Sequence, residues 1–587
     1  MNNISLTGKN WVYKKYDNNY VSYLKENFYL DEIVAQLLSI RDIGKQFVES
    51  FLKPSIKDHI PDPENLKDMR KTIQRIIKAI NNNEKIIIFG DYDVDGASST
   101  ALIGNYLKRL NQKFEIYIPD RILEGYGPSI KSFQKLIDKN VDLIITVDCG
   151  TMSYKSIDFA NKNKVDVIVL DHHQSEIKLP NAYSIINPNR FDDNSNLNYL
   201  CAAGVCFMTL VALNSSLRSI GWFKKNNITE PNLLDYLDLV SLGTICDVVP
   251  LIGLNRAIVK QGLKIINKKK NLGLKTLIDI CKIENKTSTY HLGYVIGPRI
   301  NAGGRVGKCS HGANLLLNNN PKESFKLASE LDKYNSERKN IENELLNIVL
   351  NAIRKNINDP ILTLSGEDWH EGIIGIIASR IKDKFNKPTI IISIKDKVGK
   401  ASARSVAGFD IGSAILAGVE NKILIKGGGH KMAGGFTIEQ NNIEKFKEFI
   451  LKRFNKNNIN DSNKEKIYLD AIISSSALNF DFYNKIDSLS PFGSGNPEPK
   501  FLLENLRIVK SLIVGEKHVK AFLEAPDGNV IKAISFNSSQ SDLGQFLLNK
   551  KSNRFNIVGK LSLNEWKGEK NVEFIIDDIS VNKVQKN

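Results

Sequence analysis

No C-x-x-C pair occurs among the six cysteines, Cys149, Cys201, Cys206, Cys246, Cys281 and Cys309. This excludes a zinc ribbon or a written-in disulfide framework and leaves most of them as small buried hydrophobes. No apolar run approaches the ~18 to 20 residues of a membrane span. The opening Met1-Asn2-Asn3-Ile4-Ser5 lacks the basic start, apolar stretch and small-residue cleavage site of a secretory signal. The expectation is a soluble, cytoplasmic protein with no membrane contact. No repeat at solenoid period is visible, and from Glu323 to Asp359 glycine and proline are missing altogether.

What is present is length and positive charge. At 587 residues the chain is too long for one core, and a prior of roughly 150 residues per domain predicts three or four units. Lys and Arg number 81 against 65 Asp and Glu, a net charge of +16 that suits a polyanionic partner such as nucleic acid. A background rich in Lys, Asn and Ile, as in Lys268-Lys269-Lys270, gives the same surplus, so charge alone does not identify the partner.

From Glu84 to about Pro188, short apolar runs alternate with helix-like stretches, the pattern of a doubly wound α/β domain with a parallel sheet. The strands are read at 86–89, 143–147 and 167–170, with a helix over residues 97 to 110. The gap-free stretch after Glu323 reads as one or two long helices leaving this domain. A second α/β unit follows from about Ile361, then a polar linker and a β-rich end that suggests a small barrel. The expected divisions are an N-terminal segment 1–60, a first domain 61–320, a connecting helix 321–358, a second domain 359–456, a linker 457–466 and a barrel 467–587.

Each core strand ends in carboxylates or imidazoles: Asp91-Tyr92-Asp93-Val94-Asp95-Gly96, then Asp148-Cys149-Gly150, then Asp171-His172-His173. Carboxyl ends of parallel strands share one edge, where ligands bind, so these groups converge. Asp247, in Ser241-Leu242-Gly243-Thr244-Ile245-Cys246-Asp247-Val248-Val249-Pro250, is a further candidate. Carboxylates pressed together repel and take up protons unless a cation neutralises them. Oxygen ligands with imidazoles suit two Mn²⁺ or Mg²⁺ ions. Two such ions roughly 3.5 to 4 Å apart can activate water and stabilise a leaving oxygen at phosphorus, which predicts phosphoester hydrolysis. Asp91 also reads as a loop residue that hydrogen-bonds backbone.

At D-x-D-V-D-G, V-D-C-G and D-H-H the sequence resembles the DHH phosphoesterase superfamily. The stretches 297–305 (GPRINAGGR), 370–375 (HEGIIG), 402–405 (SARS), 427–430 (GGGH) and 491–499 (PFGSGNPEP) resemble its RecJ branch. The resemblance spans about residues 40 to 580. It implies a DHH domain, a long connecting helix, a DHH-associated domain and a C-terminal OB-fold. It further implies 5′-to-3′ hydrolysis of single-stranded DNA to mononucleotides in recombination and repair, with a single-strand-binding protein and a helicase as partners and a monomeric state. The ligands it implies are Asp93, Asp95, Asp148 as bridge, His172 and Asp247, with His173 facing the scissile phosphate. Small-substrate members carry a histidine where this chain has Phe89, which leaves the place of Asp91 open.

Candidates for holding DNA are Arg121, Arg299 and Arg305 on the first domain. On the second they are His370, Ser402, Arg404, Gly428, Gly429 and His430, where backbone N–H groups and a helix N-terminus can meet phosphate. Phe501, Phe522, Phe536 and Trp566 are possible stacking platforms in the barrel. Two other functions remain open: a phosphodiesterase for short oligonucleotides or cyclic dinucleotides, and a non-catalytic single-strand-binding replication scaffold. The β-rich end favours a long polymeric substrate.

Overall fold

The computed structural model describes residues 5–121, 123–354, 357–456, 465–549, 554–566 and 569–581. In the first domain five parallel strands lie in the order Phe114–Tyr117, Ile86–Phe89, Leu143–Val147, Asp166–Leu170, Ser184–Ile186. The central strands are apolar apart from Thr146 and the leading Asp166, because both faces are covered. Their period of two sends Ile86, Ile88, Leu143 and Ile145 into one core, with helices Met69–Asn81, Val94–Arg109 and Ala202–Ser219. Ile87, Phe89, Ile144 and Val167 enter another, with Phe133, Leu136, Ile157 and Ala160 from helices Ile130–Ile137 and Tyr154–Lys162. The winding direction reverses between Ile86–Phe89 and Leu143–Val147, so the crevice at their carboxyl ends is where a ligand belongs.

The helix expected over 97–110 begins earlier, at Val94, and ends at Arg109. Asp93 caps it, accepting from the Gly96 amide at 3.0 Å, a role that apolar periodicity counted from Ala97 does not reveal. Val94 is therefore the first helical residue, and it is buried.

The connecting helix is Pro321–Ile353, 33 residues, with Pro at its first position and Asn320 as cap. At ~1.5 Å per residue it is about 50 Å long. Leu327, Ala328 and Leu331 pack into the first domain, and Leu345, Val349 and Ile353 into the second. It stops short of 358, and residues 355 and 356 lie outside the described set.

The second domain is a five-stranded mixed sheet in the order Lys426–His430, Ala433–Glu439, Val398–Arg404, Thr389–Lys395, Leu362–Glu367. The Gly427–Gly429 triplet is part of its edge strand rather than a loop. A Cβ on Gly427 would sit 2.7 Å from Ile415 Cγ2, so glycine is what lets helix Ile411–Glu420 approach. Most of the expected linker, 457–464, lies outside the described residues.

The third domain is a barrel of Phe501–Val514, His518–Glu524, Val530–Ser535, Glu569–Ser580 and Phe555–Trp566, closed by pairing of the first strand with the last named. This is the five-stranded arrangement of an OB-fold. Phe501 is core, Phe522 half-buried and Phe536 exposed, edge-on to the His518 ring. The side chain of Trp566 lies outside the described residues. The start of the chain does not stand apart: Val21, Leu24, Leu37, Leu38 and Val48 share the barrel's core, and Asn10–Tyr13 pairs in parallel with Lys466–Leu469. Among the described residues no helix is long and apolar enough to cross a membrane.

Candidate metal centre

Four segments bring their acids to the crevice. After Phe89 the chain turns so tightly that a Cβ on Gly96 would lie 2.7 Å from Asp91 Cβ, which folds Asp91 back over the start of the next helix. Asp148 follows Val147 with a left-handed φ of 61°, a conformation Asp tolerates better than most residues, and its amide donates to Leu170 O. His172 and His173 follow the strand ending at Leu170, their rings 4.7 Å apart. Asp247 caps the C-terminus of helix Leu237–Cys246.

Ligand-capable atoms fall into three sets, each within 4.8 Å: Asp91, Asp93 and Asp148; Asp95, His172 and Asp247; Asp148, His172 and His173. Asp148 and His172 are each common to two sets, so the groups form one continuous cluster. His172 Nε2 lies 3.4 Å from Asp148 Oδ1, 3.7 Å from Asp247 Oδ2 and 3.8 Å from Asp95 Oδ2. These separations exceed good hydrogen bonds but suit groups converging on a common centre.

The electrostatics are those of a site built for cations. Burial, then the charge of Asp93, pushes Asp91 up to about 8. Burial, then Asp95 and Asp93, does the same to Asp247, also to about 8. Asp148 is raised well above the carboxylate range by burial and by Asp93, Asp95 and Asp91. Oδ1 of Asp91 and Oδ1 of Asp148 are buried without a hydrogen-bond partner. Uncompensated buried oxygens are costly, and two in one cluster fit the donor set of a hard divalent ion.

The outer groups orient the inner ones. Asp171, left without a role by sequence reasoning, accepts from the amides of His172 at 2.7 Å and Thr151 at 3.0 Å and from His173 Nδ1 at 2.7 Å. Burial opposes its charge, but the bonds and charge of His173 and the Thr151 contact hold its pKa below the usual range. For His173, burial lowers and Asp171 raises; Asp171 wins, leaving it at about 9. Asp95 accepts from the amides of Ala202 at 2.7 Å and Ala203 at 2.9 Å, at the N-terminus of helix Ala202–Ser219. Tyr126 and Asn301 were also missed: Tyr126 Oη donates to Asp148 O at 3.1 Å, and Asn301 Oδ1 accepts from the Val94 amide. Asn301 sits in the 297–305 motif, and that was its only signal.

Two cations are near enough to interact with the acids, Arg121 with Asp91 and Arg305 with Asp93. The Arg121 guanidinium lies 5.1 Å from the Tyr92 ring centroid. Arg305 Nη1 donates to Gly372 O at 3.0 Å, joining the first domain to the start of helix Glu371–Phe385, which His370 caps. Burial, then Arg121 and Arg338, lowers Arg305 to about 10. Arg299 is engaged instead with Asp332 on the connecting helix, at 2.8 Å. Arg404 donates to Ser402 Oγ and Ser379 Oγ within the second domain, and Gly428, Gly429 and His430 lie on that domain's edge strand, Gly428 with open space where a Cβ would be.

Three family models match the chain: the DHH family N-terminal domain over residues 85–244, the DHHA1 domain over 358–456 and the RecJ OB domain over 469–578. The single-stranded-DNA-specific exonuclease RecJ of Escherichia coli (strain K12) is 33% identical over 90% of this chain and 92% of its own. That of Bacillus subtilis (strain 168) is 30% identical over 98% of this chain and 71% of its own. The crystal structure of RecJ in complex with Mn²⁺ from Thermus thermophilus superposes with a TM-score of 0.78 at 25% identity, covering 97% of this chain and 79% of that one.

Proposed function

This chain belongs to the RecJ family of single-stranded-DNA-specific exonucleases, and from that premise we propose that it is a two-metal exonuclease degrading single-stranded DNA from the 5′ end to mononucleotides, in recombination and repair. The observation that carries the metal reading is the pair of orphaned buried oxygens on Asp91 and Asp148 within one acidic cluster.

Asp91, Asp93, Asp95, Asp148, His172 and Asp247 are the proposed holders of Mn²⁺ or Mg²⁺, with Asp148 shared between the two positions. When bound, the ions supply Lewis-acid chemistry that activates water and neutralises charge developing at phosphorus. His173, kept charged by Asp171, sets a cation beside the carboxylates where a non-bridging phosphate oxygen can be held. Arg121 and Arg305, near the acids, grip the strand's phosphates, and His370 presents a helix N-terminus to them. Ser402, Arg404, Gly428, Gly429 and His430 offer further backbone contacts on the second domain. Arg299 serves packing of the connecting helix. The barrel favours a polymer over a dinucleotide, because an OB-fold adds a surface only a long strand can reach. The protein is proposed to act in the cytoplasm as a monomer, with a single-strand-binding protein and a helicase supplying its substrate.

The test offers the purified protein, with Mn²⁺, a 5′-labelled strand, a 3′-labelled strand, a duplex and a dinucleotide, beside Asp93→Ala and Asp148→Ala. Labelled mononucleotide should appear first from the 5′-labelled single strand, and both variants should be inactive. Undiminished activity in the variants refutes the metal site, and preference for the dinucleotide refutes the polymer reading.

A further inference from the structure

The motif at 491–499 has no place in the proposed chemistry, yet it touches the turn that carries a proposed metal ligand. Immediately after Asp247, Val248 adopts a left-handed φ of 60°, and the residue is 68% exposed. That backbone is an outlier for a β-branched residue and persists only where surroundings over-determine it. The exposed residue does not supply that constraint; the residues that follow it do. The Leu251 amide donates to Ser494 O at 2.8 Å, across the boundary to the barrel domain. Gly495 has φ 72°, and a Cβ there would lie 3.2 Å from Pro250 Cβ, so the motif sits on the turn at a separation glycine permits. Asn255 Nδ2 donates to Pro250 O at 3.0 Å from the other side.

The motif is itself locked. Asn496, 1% exposed, donates to Leu489 O and Pro491 O, both at 2.9 Å, while its Oδ1 accepts from Arg41 Nε at 2.8 Å. Helix Gly253–Ile266, which continues from the turn, sends Arg256 and Lys260 into the same segment. Arg256, 2% exposed, donates to Phe51 O at 2.8 Å, Leu489 O at 2.8 Å, Ser490 O at 3.0 Å and Pro491 O at 3.3 Å, and stacks 3.8 Å from the Phe51 ring. Lys260 Nζ donates to Ser490 O at 2.9 Å.

We propose that this segment is a clamp through which the C-terminal domain positions Asp247: Arg256 and Asn496 hold the loop 489–497, the loop holds the strained turn 248–251, and the turn holds the Asp247 carboxylate in the cluster. Arg256, Asn496 and Gly495 are positioning residues. The proposal rests on the two-metal reading and adds to it that the barrel acts on the metal centre as well as on the strand. A clamp that slackens lets Val248 relax to ordinary backbone and swings Asp247 away from His172.

The test uses the full chain without DNA and reads Mn²⁺ binding by the paramagnetic resonance of free ion. Asn496→Ala should weaken Mn²⁺ binding about tenfold and lower kcat on a dinucleotide too short to span from the metal centre to the barrel. Adding Val248→Gly, which removes the cost of the left-handed backbone, should bring the dissociation constant back to within about threefold of wild type. A domain that only holds DNA gives a different result: unchanged Mn²⁺ affinity and a raised KM for long strands alone. If Asn496→Ala does not fold, Lys260→Gln, at the half-buried rim, carries the same test with an expected two- to fivefold loss. Wild-type affinity in a folded clamp variant, or no recovery on adding Val248→Gly, overturns the clamp. Failure of wild type to bind Mn²⁺ overturns the metal reading and the clamp with it, whereas a binding wild type matched by its variants overturns the clamp alone.

Discussion

Titrating the metal-free protein with Mn²⁺ at pH 7 should release about two protons or more. Asp91 and Asp247 both have pKa values pushed up to about 8, by burial first and neighbouring carboxylates second. A group one unit below its pKa is about 90% protonated. An ion needs the carboxylate form, so each of these protons leaves on binding. Asp148, raised well above the carboxylate range in the same cluster, adds to the count, and the acids titrate as a set. The apparent affinity should then rise roughly tenfold per pH unit for each proton released, ~1.4 kcal/mol per unit. The rise should run from pH 6 to about 8 and flatten above it. The sign of the stability effect follows from the same shifts. Raised carboxyl pKa values stabilise the metal-free fold fully below the unfolded value near ~3.9, and that contribution is lost as pH climbs through 8. Metal-free protein should therefore lose thermal stability between pH 4 and 8, and saturating Mn²⁺ should cancel or reverse the slope. Calorimetric titration in buffers of different ionisation heat counts the protons, and melts in chelator follow stability. A proton release near zero at pH 7, or an Mn²⁺ affinity flat from pH 6 to 8, refutes the reasoning.

Gly243→Ala would set a Cβ 2.5 Å from Asp95 Oδ1 and 2.8 Å from Ala203 Cβ; displacing Asp95 should weaken Mn²⁺ binding about 10- to 100-fold, as disturbed metal-site hydrogen bonding does, with little change in far-ultraviolet dichroism. Glu342, 1% exposed on the connecting helix, pairs with Arg338 at 2.8 Å and with Arg380 of the second domain at 2.5 Å. Glu342→Ala strands Arg338, whose side chain is 12% exposed, while half-exposed Arg380 returns to water, and should cost about 3 kcal/mol in denaturant unfolding; a loss under ~1 kcal/mol would put the pair among surface bridges. Asp238, buried and raised from 3.8 to about 7, destabilises the fold once ionised. Asp238→Asn should melt like wild type near pH 4 and be more stable above pH 7, by up to about 4 kcal/mol, since each pH unit by which burial raises the carboxyl is worth ~1.4 kcal/mol; equal melting at pH 8 counts against it. Arg121→Ala should weaken binding of single strands at low salt and reduce the log–log salt slope by about 0.7, the value of one phosphate contact.

The parts of the centre carried by strand ends were legible because parallel strands advertise themselves. Ile86–Phe89 is an unbroken apolar run and Leu143–Val147 is interrupted only by Thr146, and acids directly after such runs lie on one edge whatever the rest of the chain does. Asp91 was not placed, because its position depends on how closely the turn folds onto Gly96, a backbone property with no periodic signature. The clamp was less visible still. Arg256 and Leu489 are 233 residues apart, and an arginine in an amphipathic helix reads locally as a solvated side chain. The same limit hid the packing of residues 5–52 on the barrel, since order along the chain says nothing about which domain a leading segment covers.

What sequence patterning could not reveal is how a chain with so many converging acids folds before any ion arrives. Asp93 caps helix Val94–Arg109, and Asp95 accepts from the first amides of helix Ala202–Ser219. Two helix N-termini, each equivalent to roughly half a positive charge, therefore face the cluster, and His173, charged through Asp171, adds a third positive element. Asp171 has its pKa lowered while Asp91, Asp148 and Asp247 have theirs raised. Asp95 is raised too, by burial first, despite its two amide donors, so the cluster is divided between Asp171, held ionised by its hydrogen bonds, and buried acids that hold protons in the metal-free state. Asp91 and Asp148, the two with orphaned oxygens, fall in the second group. On the two-metal proposal the oxygens of Asp91 and Asp148 are the uncommitted ones, so Asp91→Ala is expected to weaken Mn²⁺ binding in calorimetric titration while the metal-free protein keeps its fold, and an unchanged affinity counts against that assignment.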